Sequence, residues 1–150
     1  MSRANPGRVS ALKALVGVEE GGRAEDLLAQ LSPKAGKDRA LAWHLTLGTL
    51  RWRGNLDHGL QPHLRRPVGD LDAPVRAALR MGLFEAQLSR TPARAAVHQA
   101  VECTKVVGMR RASGMVNAVL RRASQLPLPT DPSHTLPPWL YARWASHERW

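Results

Sequence analysis

Apolar residues recur along this chain at intervals of three and four, and the strict alternation of a half-buried strand is nearly absent. The first such stretch, about residues 6 to 19, places Val9, Leu12, Leu15 and Val16 on one helical face. "EEGG" ends it, and a short helix is expected around Ala24 to Leu31. After the loop "LSPKAGK", a longer helix runs from about Asp38 through "LAWHLTLGTLRW" and resumes beyond Gly54 through "NLDHGLQPHLRR". "RPVGDLDAP" interrupts the pattern. Helices are then predicted over about 73 to 90 and 92 to 107, with a last one inside "RRASGMVNAVLRRAS", residues 110–124. Asn5-Pro6 and Thr91-Pro92 each set a capping residue before a proline suited to the first turn, and Asp38 and Asp72 are further candidate caps. The reading is an all-α bundle of about six or seven helices joined by short connections.

Side chains assigned to the core are Leu45, Leu79, Leu83, Val101, Val119 and Leu120, with Trp43 beside them. Gly48 and Gly82 lie inside helices at a propensity cost near 1 kcal/mol, which predicts close helix packing at both. In the last helix, at about 100° per residue, Val116, Val119, Leu120 and Ala123 share one side while Asn117 and Arg121 lie opposite. Two starts are open for that helix. It extends back to Arg110, so that Arg110, Gly114, Asn117 and Arg121 form one stripe, or Ser113 caps it and Arg110 and Arg111 sit beside its positive N-terminus.

Five of the 13 residues in 126–138 are proline, which breaks the helical pattern and reads as a stiff linker. The expected organisation is a helical domain over 1–125, this linker, and a short amphipathic piece over 139–150. That last piece is either the start of a connection to an absent domain or a tail folded back on the bundle.

The length of 150 residues suits one domain with a real core, and the abundance of Ala and Leu favours helix over sheet. A formal charge of +10 points to a polyanionic partner, nucleic acid first. The single cysteine, Cys103, excludes an internal disulfide and a cysteine-based zinc site. No signal-peptide core or membrane-length apolar run is present, so the expectation is a cytoplasmic protein with no membrane partner.

Chemistry is hard to find. The chain has no glycine-rich phosphate loop, no cysteine pair and no nucleophile elbow, and His98 with Glu102, four apart, has no second pair to complete a metal site. No catalytic or metal-ligating residue is assigned, and Cys103 is read as a buried thiol. The basic residues carry the binding expectation: Arg3, Arg8 and Lys13 at the start, and Arg110, Arg111, Asn117 and Arg121 at the last helix. Arg51 and Arg53 are second-rank candidates, with Trp52 between them as a base-stacking candidate.

"LTLGTLRW", "LDAPVRAALRMGLFEAQL", "AVHQAVECTK" and "GMVNAVLRR" occur in that order and together resemble the NusB-like RNA-binding fold. "VEEGGRAEDLL", "LSPKAGKDRALA" and "LPPWLYARW" look more like one branch, the N-terminal domain of the RsmB (Sun) family, which methylates cytosine C5 in small-subunit ribosomal RNA. The resemblance implies ribosomal RNA as partner and a separate Rossmann-like methyltransferase domain, absent here, that would carry S-adenosylmethionine. On that reading this chain is non-catalytic and holds no cofactor. The alternative branch is the free-standing antitermination factor, implied to bind boxA RNA with a ribosomal protein. Its basic N-terminal segment is matched here only by Arg3, Arg8 and Lys13 around Asn-Pro-Gly, which weakens that alternative. A helical protein-interaction module is the third reading.

Overall fold

The computed structural model describes residues 3–129, and every regular element among them is helical. The helices are α1 (Pro6–Glu19), α2 (Ala24–Leu31), α3 (Lys37–Arg51), α4 (Arg53–Leu60), α5 (Ala73–Leu88), α6 (Ala93–Val106) and α7 (Ser113–Ala123). Single 3-10 turns at Gln61–His63, Val68–Asp70 and Arg110–Ala112 join or extend them. The predicted bundle is therefore present. Among the described residues no helix is long and apolar enough to cross a membrane.

The first helix begins as its sequence predicts. Asn5 Oδ1 accepts from the Arg8 amide at 3.1 Å and Pro6 occupies the first turn. The other predicted caps are not used. Thr91 instead donates its hydroxyl to Glu85 Oε2 at 2.7 Å, because a buried carboxylate beside it is the stronger acceptor, and α6 starts without a side-chain cap. Asp38 lies inside the first turn of α3, after Gly36 at φ +90°, and accepts from Asn5 Nδ2 at 3.1 Å. Asp72 holds the cap position of α5 without a side-chain bond.

Helix α5 is the centre of the bundle, packed against α1, α3, α4, α6 and α7. It buries residues all round, including Leu79, Leu83 and Phe84, together with the charged Arg80 and Glu85. Both helical glycines are required by packing. A Cβ at Gly48 would stand 2.1 Å from the Phe84 ring, and one at Gly82 would stand 2.6 Å from Leu120. Leu45, Leu79, Leu83, Val119 and Leu120 are buried as predicted, and Trp43 packs half-buried on a smaller cluster of Ala14, Leu28 and Ala42. Val101 corrects the predicted core: it is half-buried and lines a groove between α6 and α7.

After α7 the chain turns back across α4 and α5. Gln87 Nε2 donates to the Ser124 and Leu126 carbonyls at 2.8 and 2.7 Å, and Asn55 Nδ2 donates to the Pro129 carbonyl at 2.7 Å. Leu128 packs over Gly59, where a Cβ would come within 3.2 Å of it. The predicted linker over 126–138 is thus seen in its first four residues as a docked strap. Its remainder, and the piece over 139–150, lie outside the described residues.

Candidate nucleic-acid interface

Helix α6 carries Arg94, Val97, His98, Val101 and Lys105 at spacings of three and four, so these side chains form one lengthwise stripe. Helix α7 packs alongside and buries Val116, Val119, Leu120 and Ala123, which turns Asn117 and Arg121 toward that stripe. The two helices border an open groove of about 690 Å³ whose lining is mixed, with Val97 and Val101 beside Glu102, Asn117 and three cations, Arg94, Lys105 and Arg121. The Asn117 side chain is half-buried on the wall of this groove and makes no hydrogen bond within the described residues.

A second groove adjoins the first across α6. Arg3 and Arg110 stand on its rim, and Pro6, Val9 and Ser10 of α1 form one side. Gln99 holds the incoming chain in place: its side-chain oxygen accepts from the Asn5 amide at 2.9 Å and its Nε2 donates to the Arg3 carbonyl at 3.1 Å. Glu102 and Lys105 border both grooves and pair with each other at 3.0 Å. The 3-10 turn at Arg110–Ala112 runs directly into α7, with Ser113 Oγ donating to the Arg110 carbonyl at 2.7 Å. Neither predicted start is adopted as drawn: α7 begins at Ser113, which is inside the helix instead of capping it, and the 3-10 turn sets Arg110 in the groove against α1 while Asn117 and Arg121 line the groove against α6.

The predicted site residues separate into groups. Arg3, Arg110, Asn117 and Arg121 line the two adjoining grooves. Arg111 is exposed in the turn, and Lys13 is exposed about 20° from Pro6 around α1, prolonging the same face. Arg8 is corrected. Its Nε donates to Glu85 Oε1 at 2.8 Å, a terminal nitrogen closes a second contact to Oε2, and Glu85 itself is buried. That guanidinium neutralises an internal carboxylate instead of facing solvent. Arg51 and Arg53 are exposed at the α3–α4 junction, where Trp52 packs against the core instead of standing free. Arg53 lines a small hollow with Glu19 and Arg80.

Around that hollow lies a network of ion pairs. Arg76 and Arg80 pair with Glu19 at 2.8 and 3.3 Å, and Arg80 also holds Asp57 at 2.7 Å. Burial pushes the Glu19 carboxyl up, but the Arg76 hydrogen bonds and the charges of Arg76, Arg80 and Arg53 outweigh it and hold the group below its ordinary value. Cys103 is buried, and desolvation, opposed by Arg8 and reinforced by Glu85 and Glu102, pushes its thiol up to about 12. A thiol held protonated in this way is a poor nucleophile. No group of three or more His, Cys, Asp or Glu able to hold a metal occurs among the described residues.

Sequence reasoning missed Arg94 and did not assign Lys105 to the site, although Lys105 opens the basic run that leads into the last helix. Their spacing with Val97 and Val101 was visible, but a mixed stripe reads as an ordinary solvated face until α7 is laid beside it. A third groove, between Arg65, Arg66 and Arg122 with Leu71 and Val119 at its base, extends the basic surface around α7.

The comparisons with known proteins find two kinds of relative, ribosomal RNA methyltransferases and antitermination proteins. Ribosomal RNA small subunit methyltransferase B of Thermus thermophilus is 41% identical over 147 residues, 95% of this chain and 36% of that protein. Its namesake in Pseudomonas putida is 38% identical over 123 residues, 81% of this chain and 28% of that protein. The chain thus spans about a third of the methyltransferases it matches, on their N-terminal NusB-like region. Transcription antitermination protein NusB of Stenotrophomonas maltophilia is 34% identical over 108 residues, 69% of this chain and 68% of that protein. Among solved structures, antitermination factor NusB in complex with NusE and double-stranded RNA superposes with a TM-score of 0.72 at 22% identity, covering 81% of this chain and 95% of that one. The NusB family model matches residues 5–125, and the chain belongs to the NusB family.

Proposed function

We propose that this domain binds RNA through the face shared by α1, α6 and α7, and that it holds ribosomal RNA for a cytosine-C5 methyltransferase. The observation that carries the reading is the convergence of Arg3, Arg94, Arg110 and Arg121 on two adjoining grooves, while the ion pairs of the bundle hold Arg8, Arg76 and Arg80 elsewhere. Cations gathered in this way gain affinity by releasing counterions from phosphates, whatever the base sequence. Methyltransferase relatives reach 41% identity over 95% of this chain, against 34% over 69% for the antitermination protein, which supports the first branch. S-adenosylmethionine and the methyl transfer are assigned to the part of those methyltransferases beyond the present match, and no chemical step is assigned to this chain.

The antitermination reading keeps one observation in its favour, since the chain covers 68% of a NusB relative's length against about a third of a methyltransferase's. A salt-titrated binding assay against two RNAs of equal length, a small-subunit rRNA fragment and a boxA-type element, separates the branches. Preference for the rRNA fragment is expected. Preference for boxA would move the assignment to antitermination, and binding to neither at low salt would remove RNA as the partner.

A further inference from the structure

Round α7 from the α6 groove lies a basic trough of about 640 Å³, between that helix and the segment joining α4 to α5. Met115, Ala118 and Arg122 recur at three and four on α7, about 100° or more round the helix from Asn117 and Arg121. The facing segment is braced. Gln61 Oε1 accepts from the Val68 amide at 3.0 Å, its Nε2 donates to the Arg66 carbonyl at 3.1 Å, and Val68 and Leu71 are buried in the core. The trough is therefore formed before anything binds, which lowers the cost of binding. Leu64 and Met115 are half-buried along it and Ala118 is exposed, so apolar surface is open to a partner. Arg65 and Arg66 stand on one rim and Arg122 on the other. All three are exposed, and none of their side chains makes an ion pair or hydrogen bond within the described residues. No carboxylate lines this trough, whereas Glu102 borders both grooves of α6.

We infer that this trough docks an acidic amphipathic helix of a protein partner. Its apolar side chains lie on Leu64, Met115 and Ala118, and carboxylates on its two flanks pair with Arg65, Arg66 and Arg122. An apolar centre inside a polar rim is the usual anatomy of a protein interface, and Met adapts to varied apolar partners. From Met115 to Arg122 is about 10 Å of helix, the length over which a docked helix sets anchors at i, i+3, i+4 and i+7. An extended peptide would need a strand edge for its main chain, and no strand occurs among the described residues. A second copy of this chain would bring a net charge of +10 against a cationic rim. RNA phosphates would match the arginines but leave Leu64 and Met115 uncovered, whereas the helix covers both. The surface is separate from the grooves of α1 and α6, so the inference stands apart from the RNA-binding reading.

The test uses the full chain and fluorescence anisotropy with two labelled peptides of identical composition and charge. One is a designed helix with Leu at i, i+3, i+4 and i+7 and Glu on both flanks; the other scrambles the same residues so that no apolar face forms. Wild type is expected to bind the amphipathic peptide at least about tenfold more tightly than the scrambled one, because only the first buries apolar surface. Ala118→Glu, at an exposed helical position, sets a like charge in the trough and should abolish most of that preference. Arg66→Glu, in the exposed loop, probes the same surface without touching α7 and should weaken the amphipathic peptide in the same direction. Lys34→Gln, an exposed cation elsewhere, should leave it unchanged. Far-ultraviolet circular dichroism checks that each variant is folded. Equal affinity for the two peptides would reduce the trough to general charge attraction and overturn the inference, as would undiminished binding in both Ala118→Glu and Arg66→Glu. A single-stranded RNA decamer whose affinity falls as far as the peptide's in Ala118→Glu would overturn it in favour of nucleic acid.

Discussion

The Arg8 guanidinium and the Arg110 guanidinium look alike in the sequence and are put to opposite uses by the fold. Arg8 lies against buried Glu85, whose second oxygen also accepts from Thr91. Removing Arg8 would strand a carboxylate in the core, so Arg8→Ala is expected to cost about 3–5 kcal/mol in urea unfolding. Arg110→Ala, at an exposed position, should change stability by no more than about 0.5 kcal/mol. Cys103 makes a further prediction at this scale. With its thiol pushed up to about 12, it should react with a disulfide reagent at pH 8 far more slowly in the native chain than in urea, and rapid native labelling would show that the site is open. Which arginine faces inward was not legible in the sequence, because it depends on which carboxylate a neighbouring helix brings opposite. Nothing within α1 announces Glu85, which lies 77 residues away.

Among the elements, the helices were legible where local chemistry and long-range packing agree. The apolar periodicity of α1 and its Asn5-Pro6 start mark both ends of that helix, and "EEGG" stops it as expected. The start of α6 was misread for the opposite reason: Thr91 had a better partner in the core than the free amides of its own helix. Gly48 and Gly82 betrayed the tight contacts of α5 through their propensity cost alone. Gly48→Ala would drive a methyl into the Phe84 ring and is expected to cost about 1–3 kcal/mol despite its better helix propensity, read from the denaturation midpoint. The strap after α7 depends on a different device. Asn55→Ala would leave the Pro129 carbonyl without this donor, and about 1–3 kcal/mol of stability should be lost. Unchanged stability there would mean that this hydrogen bond adds nothing to a strap that Gln87 and Leu128 also hold.

For the whole molecule, the charges divide between two tasks. One set of cations is paired with carboxylates inside and beneath the bundle, and it makes stability depend on pH. Glu19 is held below its ordinary value of 4.5 in the fold, so its contribution is fully present above that value and is lost as pH falls through the folded one. Thermal unfolding followed from pH 6 downward should therefore show a loss of stability below about 4.5, and Glu19→Gln should flatten that fall. The other set, Arg3, Arg94, Arg110, Arg121 and the half-shared Lys105, faces outward over the grooves of α1, α6 and α7. Net charge of +10 was readable from composition, but which cations meet over the α1, α6 and α7 grooves depended on the packing of α7 against α6, while Arg51, Arg53, Arg65, Arg66 and Arg122 lie outside those grooves. The most direct measurement is the salt dependence of binding to single-stranded RNA. If these cations engage phosphates, log K should fall against log salt with a slope of about −3 to −3.5, at roughly 0.7 per contact, and should flatten when Arg94, Arg110 and Arg121 are replaced together by Gln. A slope near zero, or one that the triple replacement leaves unchanged, would contradict the assignment of this face to RNA.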